Sequence, residues 1–125
     1  MITAIEHIAI FAEDTAALKD WYVKVFEFKV AYDNGKGTFF LRVPDGSMIE
    51  ICKQTEENRK DGATVGGLRH IAFYVDDFNE MVERLKAENV EVVTDATTSA
   101  SGVSTFFFKD PEGNISHLIN RKNPL

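Results

Sequence analysis

The 125 residues predict an α+β fold built from two repeated β-α-β-β-β modules, and three observations carry that prediction. The chain repeats itself. Ile5-Glu6-His7-Ile8-Ala9-Ile10 matches Leu68-Arg69-His70-Ile71-Ala72-Phe73 at an offset of 63, and Phe39-Phe40-Leu41-Arg42-Val43-Pro44-Asp45-Gly46 matches Phe106-Phe107-Phe108-Lys109-Asp110-Pro111-Glu112-Gly113 at an offset of 67. Within each copy the apolar period runs from strand-like to helical and back. Length and composition suit one compact domain over 1–125: 44% of residues are hydrophobic and 27% charged, with ten Phe, three Tyr and one Trp available for a core.

Module 1 is expected over about 2–53 and module 2 over about 66–121. Each opens on a β-branched, apolar run of strand length, 2–11 and 68–75. An acidic residue then stands at a helix start, Asp14 or Asp77, where its carboxylate can accept from otherwise unpaired amides; Glu80, three residues after Asp77, has the spacing of a capping box. Leu18, Tyr22, Val25 and Phe26 fall on one helical face, as do Phe78, Met81, Val82 and Leu85. Three short strands follow in each module, at about 28–33, 37–43 and 47–53, then 90–96, 103–109 and 114–120. Tight turns divide the last two of each set, at Pro44-Asp45-Gly46-Ser47 and Asp110-Pro111-Glu112-Gly113-Asn114. The change of offset leaves four extra residues in the second copy, and the small, polar stretch 97–102 is expected to be their loop. The segment 54–65 is charged, lacks apolar periodicity and reads as a solvated connector.

Charge and cysteine content exclude several classes. Fourteen basic against twenty acidic residues give a net charge of −6, the wrong sign for a nucleic-acid or anionic-membrane surface. The single cysteine, Cys52, excludes an internal disulfide and a cysteine zinc cluster. No apolar run reaches the roughly 18 residues of a membrane span, and the first residues lack a basic, apolar leader pattern, so a cytoplasmic location is expected.

The repeat gives the polar residues their meaning. His7 and His70 are equivalent at an offset of 63, and Glu50 and His117 at 67, so all three histidines and one glutamate inside an apolar strand fall at two positions of the repeat. Three imidazoles and a carboxylate make a plausible ligand set for a divalent transition metal. Any one of them alone would more simply be a satisfied strand residue. Cys52 reads as a small apolar filler, and Trp21, Tyr22 and Phe106-Phe107-Phe108 as core, with one ring of the Phe triplet free to serve as a substrate platform.

These residues resemble the vicinal oxygen chelate superfamily, also called the glyoxalase / bleomycin-resistance / dioxygenase family. The resemblance covers nearly the whole chain and rests on His7-Ile8-Ala9-Ile10, Leu18-Lys19-Asp20-Trp21-Tyr22-Val23-Lys24-Val25-Phe26-Glu27-Phe28, Gly67-Leu68-Arg69-His70-Ile71-Ala72-Phe73 and Asp110-Pro111-Glu112-Gly113-Asn114. It implies paired βαβββ modules forming a U-shaped mixed sheet around a metal cleft, with helices outside. It further implies metal ligation by His7, Glu50, His70 and His117, a small-molecule substrate with vicinal oxygens, and a homodimer. The position of His117 is usually Glu in metal-binding members, where it doubles as a base; that departure moves the expected carboxylate base to Glu50, with His117 as a second catalytic candidate. Arg42 and Arg69 are candidates for an anionic substrate.

The leading expectation is a metal-dependent, glyoxalase-like lyase or isomerase acting through a metal-stabilised enediolate. The imidazole-rich ligand set favours zinc, nickel, cobalt, manganese or iron over magnesium or calcium. The alternatives are a non-haem metal dioxygenase, since His7, His70 and Glu50 have the composition of a facial triad, and a non-catalytic drug- or metabolite-binding protein of the bleomycin-resistance type.

Overall fold

The computed structural model describes residues 1, 3–54 and 68–125; all of the expected connector after Gln54 lies outside the described residues, as do Ile2, Gly66 and Gly67. The chain divides into two compact units, Met1–Val65 and Gly66–Leu125.

Unit 1 runs β1 (His7–Ala12), α1 (Thr15–Phe26), β2 (Lys29–Asp33), β3 (Phe39–Arg42) and β4 (Met48–Lys53). Its sheet has the order β1-β4-β3-β2. β1 lies parallel to β4 while the other pairs are antiparallel. The first strand begins at His7, short of the expected start at residue 2; Thr3 to Glu6 are exposed, Ile5 among them, and pack no side chain under the helix. The Asp14 carboxylate caps α1 by accepting from the Ala17 amide at 3.0 Å, and the helix ends at Glu27, whose left-handed φ of 60° turns the chain out of helical conformation. Leu18, Tyr22 and Val25, spaced by four and three, are fully buried against β4, β3 and β1. Facing them are Ile10 and Ala12, Phe39 and Leu41, and Ile49 and Ile51, each the alternate residue of its strand. Burying each large one stabilises the unit by roughly 1.5–3 kcal/mol relative to leaving it in water.

Unit 2 repeats this order: β5 (Ile71–Tyr74), α2 (Phe78–Ala87), β6 (Glu91–Thr98), β7 (Val103–Lys109) and β8 (Ile115–Arg121). The sheet is β5-β8-β7-β6, again with its first and last strands parallel. Val82 and Leu85 of α2 bury with Phe106, Phe108 and Leu118. Asp77 caps α2 through the Glu80 amide at 3.2 Å, but the Asp77 amide donates to Asp76 Oδ1 at 2.9 Å, so only half of the expected capping box forms.

The expected loop 97–102 is shorter than its composition suggested. β6 continues through Thr97 and Thr98, which pair with Thr105 and Ser104. β-branched residues favour the extended backbone, and Thr98 Oγ1 and Ser104 Oγ share a hydrogen bond of 2.8 Å across the pair. The reversal is confined to 99–102. It needs glycine at its end: Gly102 has φ of +83°, and a Cβ there would stand 2.7 Å from Lys122 Cβ.

Candidate functional site

The strand pleat leaves each sheet one face covered by a helix and one free of it; the four expected metal ligands and Arg42 fall on the second, while Arg69 is exposed and precedes β5 outside any strand. In unit 1, His7 opens β1, and the register sets Ala9 opposite Glu50 on β4. Their side chains meet: His7 Nε2 lies 3.9 Å from Glu50 Oε1, with 37% of the imidazole and 20% of the carboxylate side chain exposed. His7 Nδ1 faces Glu6 Oε2 at 3.4 Å. Phe40, directly opposite Glu50 on β3, sets its ring against His7 edge-on at 5.3 Å.

Unit 2 builds the equivalent arrangement. His70 immediately precedes β5, and Ala72 pairs with His117 on β8. The two imidazoles stand 4.6 Å apart, centroid to centroid, at 83°. Phe107, opposite His117 on β7, stacks on it at 4.3 Å and meets His70 edge-on at 5.7 Å. Phe107 is thus the ring of the Phe triplet that faces away from the helix, while Phe106 and Phe108 fill the core. The signal for both rings was in the repeat, since Phe40 and Phe107 are themselves equivalent at an offset of 67.

The ring nitrogens of unit 2 are in different states. His117 is 5% exposed, and its Nδ1 lies 3.2 Å from the Leu118 carbonyl. A carbonyl can only accept, so Nδ1 carries the proton and Nε2 keeps its lone pair. Burial pulls the His117 pKa below its ordinary 6.5; the Leu118 carbonyl opposes the shift and the neighbouring His70 and Arg121 add to it, so the ring is neutral at neutral pH. His70 Nδ1 is buried with no hydrogen-bond partner. An orphaned buried nitrogen costs about 1–3 kcal/mol unless something satisfies it.

Cys52 lies two residues beyond Glu50 on the same strand face. Burial first, then its hydrogen bond to Glu50 and that residue's charge, push the thiol up to about 11, so it stays protonated and apolar in character at neutral pH.

The four predicted donors therefore come as two pairs, one in each unit; among the described residues no group of three or more His, Cys, Asp and Glu side chains stands together as a metal would require. The chemistry of the donors nonetheless fits a transition metal: neutral imidazole with a free Nε2 and a second-sphere carbonyl on Nδ1, an imidazole nitrogen lacking any partner, and an imidazole–carboxylate pair.

Comparison with known proteins places this architecture. The sequence pattern of the Glyoxalase/Bleomycin resistance protein/Dioxygenase superfamily matches residues 4–118. The chain is 32% identical to the uncharacterized protein YaeR of Escherichia coli (strain K12) over 117 residues, covering 87% of this chain and 89% of that one. It is 24% identical to biphenyl-2,3-diol 1,2-dioxygenase 2 of Rhodococcus globerulus over 116 residues, 90% of this chain but only 60% of the dioxygenase. Among solved structures, the glyoxalase family protein of Enterococcus faecalis superposes with a TM-score of 0.77 at 27% identity, covering 94% of this chain and 97% of that chain. In the described residues no helix is long and apolar enough to cross a membrane. Two βαβββ modules, His and Glu at equivalent strand positions, and a match over nearly the full length together make the chain a member of the Glyoxalase/Bleomycin resistance protein/Dioxygenase superfamily.

Proposed function

We propose that the protein is a metal-dependent enzyme of glyoxalase type, a lyase or isomerase acting on a small molecule with two adjacent oxygens. The observation that carries this reading is the pairing of the donors: His7 with Glu50, and a neutral His117 with a His70 nitrogen that has no partner of its own. His7, Glu50, His70 and His117 would hold the metal, one of zinc, nickel, cobalt, manganese or iron. When bound, such an ion supplies positive charge to the oxygens on which negative charge develops.

The chain's own residues do the rest. Glu50 Oε1 takes a proton from a substrate carbon and returns it to the neighbouring one, a transfer that needs only hydrogen-bond reach. His117, neutral and with Nε2 free, is the second group able to accept a proton, which it relinquishes if Nε2 is ligated. Phe40 and Phe107 wall the donors with apolar rings, limiting water around the reacting atoms. The reading includes a homodimer; β1 and β5 stand at the ends of their sheets, each with one edge for pairing.

The test is turnover by metal-loaded protein on a panel of 2-oxoaldehyde hemithioacetals, 2-hydroxy ketones and catechols, with and without oxygen. Oxygen-independent turnover, lost with chelator, restored by metal and reduced ~10²–10⁴-fold in Glu50→Gln, is the expected result. Turnover that requires oxygen puts the dioxygenase reading first, a reading favoured by the likeness to the Rhodococcus globerulus enzyme. Tight ligand binding with neither turnover nor metal leaves a sequestering protein.

A further inference from the structure

Beside the His7–Glu50 pair, on the same helix-free face of unit 1, lies an open depression of about 330 Å³ lined by Ala31, Tyr32, Phe40, Arg42 and Met48. At ~30 Å³ per water it has room for the equivalent of roughly eleven waters, or a ligand body of a few carbon atoms with one polar head. Four of its five lining residues are apolar or aromatic, and the rings of Tyr32 and Phe40 meet edge-on at 6.2 Å. The fifth is a cation held in place. Arg42 Nη1 donates to the Gly46 carbonyl at 3.0 Å, which ties the guanidinium to the β3–β4 turn. Among the described residues no carboxylate stands within ion-pair distance of it, and Arg42 is exposed. Lys29 is its direct partner on β2, so two like charges face each other across the strand pair, an arrangement that disfavours itself until an anion joins it. Of the acids near this face, Glu50 is paired with Phe40, two residues along β3 from Arg42, about 7 Å away, and Glu6 stands against His7.

Resting on the catalytic reading of Glu50 above, we propose that Arg42 anchors the carboxylate of a small substrate with a flat, apolar body, and so sets both which substrates enter and which way round they lie. The planar fork of a guanidinium matches a carboxylate with two parallel hydrogen bonds. Tyr32, Phe40 and Met48 cover the apolar body. Repulsion between Glu50 and the ligand's own carboxylate excludes the reversed orientation, so the carboxylate lies at the Arg42 end and the reacting carbons lie toward Glu50 Oε1.

The experiment uses benzoate and its neutral isostere benzamide, titrated separately into the full, ¹⁵N-labelled chain and followed by amide chemical shifts. It is run in chelator, so that no metal can capture the carboxylate. Benzoate is expected to saturate in the millimolar range or below and to move the amides of Tyr32, Phe40 and Met48. Benzamide is expected to bind at least about tenfold more weakly, the scale of a charge-assisted hydrogen bond. Arg42→Gln should abolish that preference, and Arg42→Lys should keep part of it. Equal binding of the two probes, a preference that survives Arg42→Gln, shifts centred elsewhere, or no saturation by benzoate would each overturn the proposal. Because the titration is metal-free, its failure leaves the metal-centre reading untouched, and a protein that never takes up metal still gives a clear answer here.

Discussion

Replacing Asp110 should unfasten the strand that carries His117. The Asp110 residue is 4% exposed, and its carboxylate organises the whole β7–β8 turn: the Glu112 and Asn114 amides donate to Oδ1 at 2.9 and 3.0 Å, and Asn114 Nδ2 donates to both oxygens at 3.1 and 2.8 Å. Two backbone bonds close the same turn, Asp110 N to Asn114 O and Gly113 N to Asp110 O, both 2.9 Å. In Asp110→Ala the backbone bonds remain but two amides and a side-chain amide lose their acceptor. A hydrogen bond to a charged group contributes about 1.5–3 kcal/mol, and solvent reaching the rim of the turn recovers part of each loss. The net cost is therefore about 3 kcal/mol, or a fall in Tm of roughly 10 °C for a chain of this size. Asp110→Asn keeps one carbonyl for the two backbone amides, and Asn114 can rotate its own amide to accept from the new one, so that variant should lose only about 1 kcal/mol. Thermal unfolding followed by circular dichroism measures both. An Asp110→Ala protein melting within two or three degrees of wild type, or an Asp110→Asn protein as unstable as Asp110→Ala, would refute the reasoning.

Two further predictions concern titration and reactivity. His117 has a folded pKa below 6.5, so the unfolded chain binds the proton more readily; stability contributed by its neutral state is complete above pH 6.5 and is lost as pH falls through 6.5 toward the folded value. Tm of chelator-treated protein should drop as pH is lowered from about 7.5 through that window, and the drop should flatten in His117→Gln; an equal slope in both proteins would count against the assignment. Cys52, with its thiol near 11, should react with iodoacetamide at pH 8 at least tenfold more slowly than glutathione. Glu50→Gln removes the charge and the bond that hold the proton on, so it should speed the labelling, and mass spectrometry of the alkylated chain reads both.

The repeat made the fold legible because equivalent residues in two copies reveal position even when each copy alone is ambiguous. Offsets of 63 and 67 brought His7 level with His70 and Glu50 level with His117, and the structure sets each first-strand residue beside its last-strand partner through a parallel β1–β4 or β5–β8 ladder. Strand ends were less legible. Thr97 and Thr98 read as loop among Ser, Ala and Gly, but cross-strand pairing with Thr105 and Ser104 outweighs local composition. The spacing of Glu80 could not show that the Asp77 amide donates to Asp76 instead. The apolar run Phe106-Phe107-Phe108 could not say by itself which ring faces the histidines; that follows from the pairing of Phe107 with His117. Arg42 was legible as a cation but not as one in a depression, because Tyr32 reaches it only past the irregularity between Val30 and Tyr32 that shifts the β2 register.

The metal site proposed above would be held by His7, Glu50, His70 and His117. Elemental mass spectrometry on protein purified without chelators or a histidine tag tests it directly, on wild type and on His70→Ala, His117→Ala and Glu50→Gln. The expected result is close to one metal per chain, affinity at least about tenfold lower in either histidine variant, and metal retained in Glu50→Gln, whose amide oxygen can still ligate, while turnover falls ~10²–10⁴-fold. A native protein without metal that takes up none on reconstitution would contradict it.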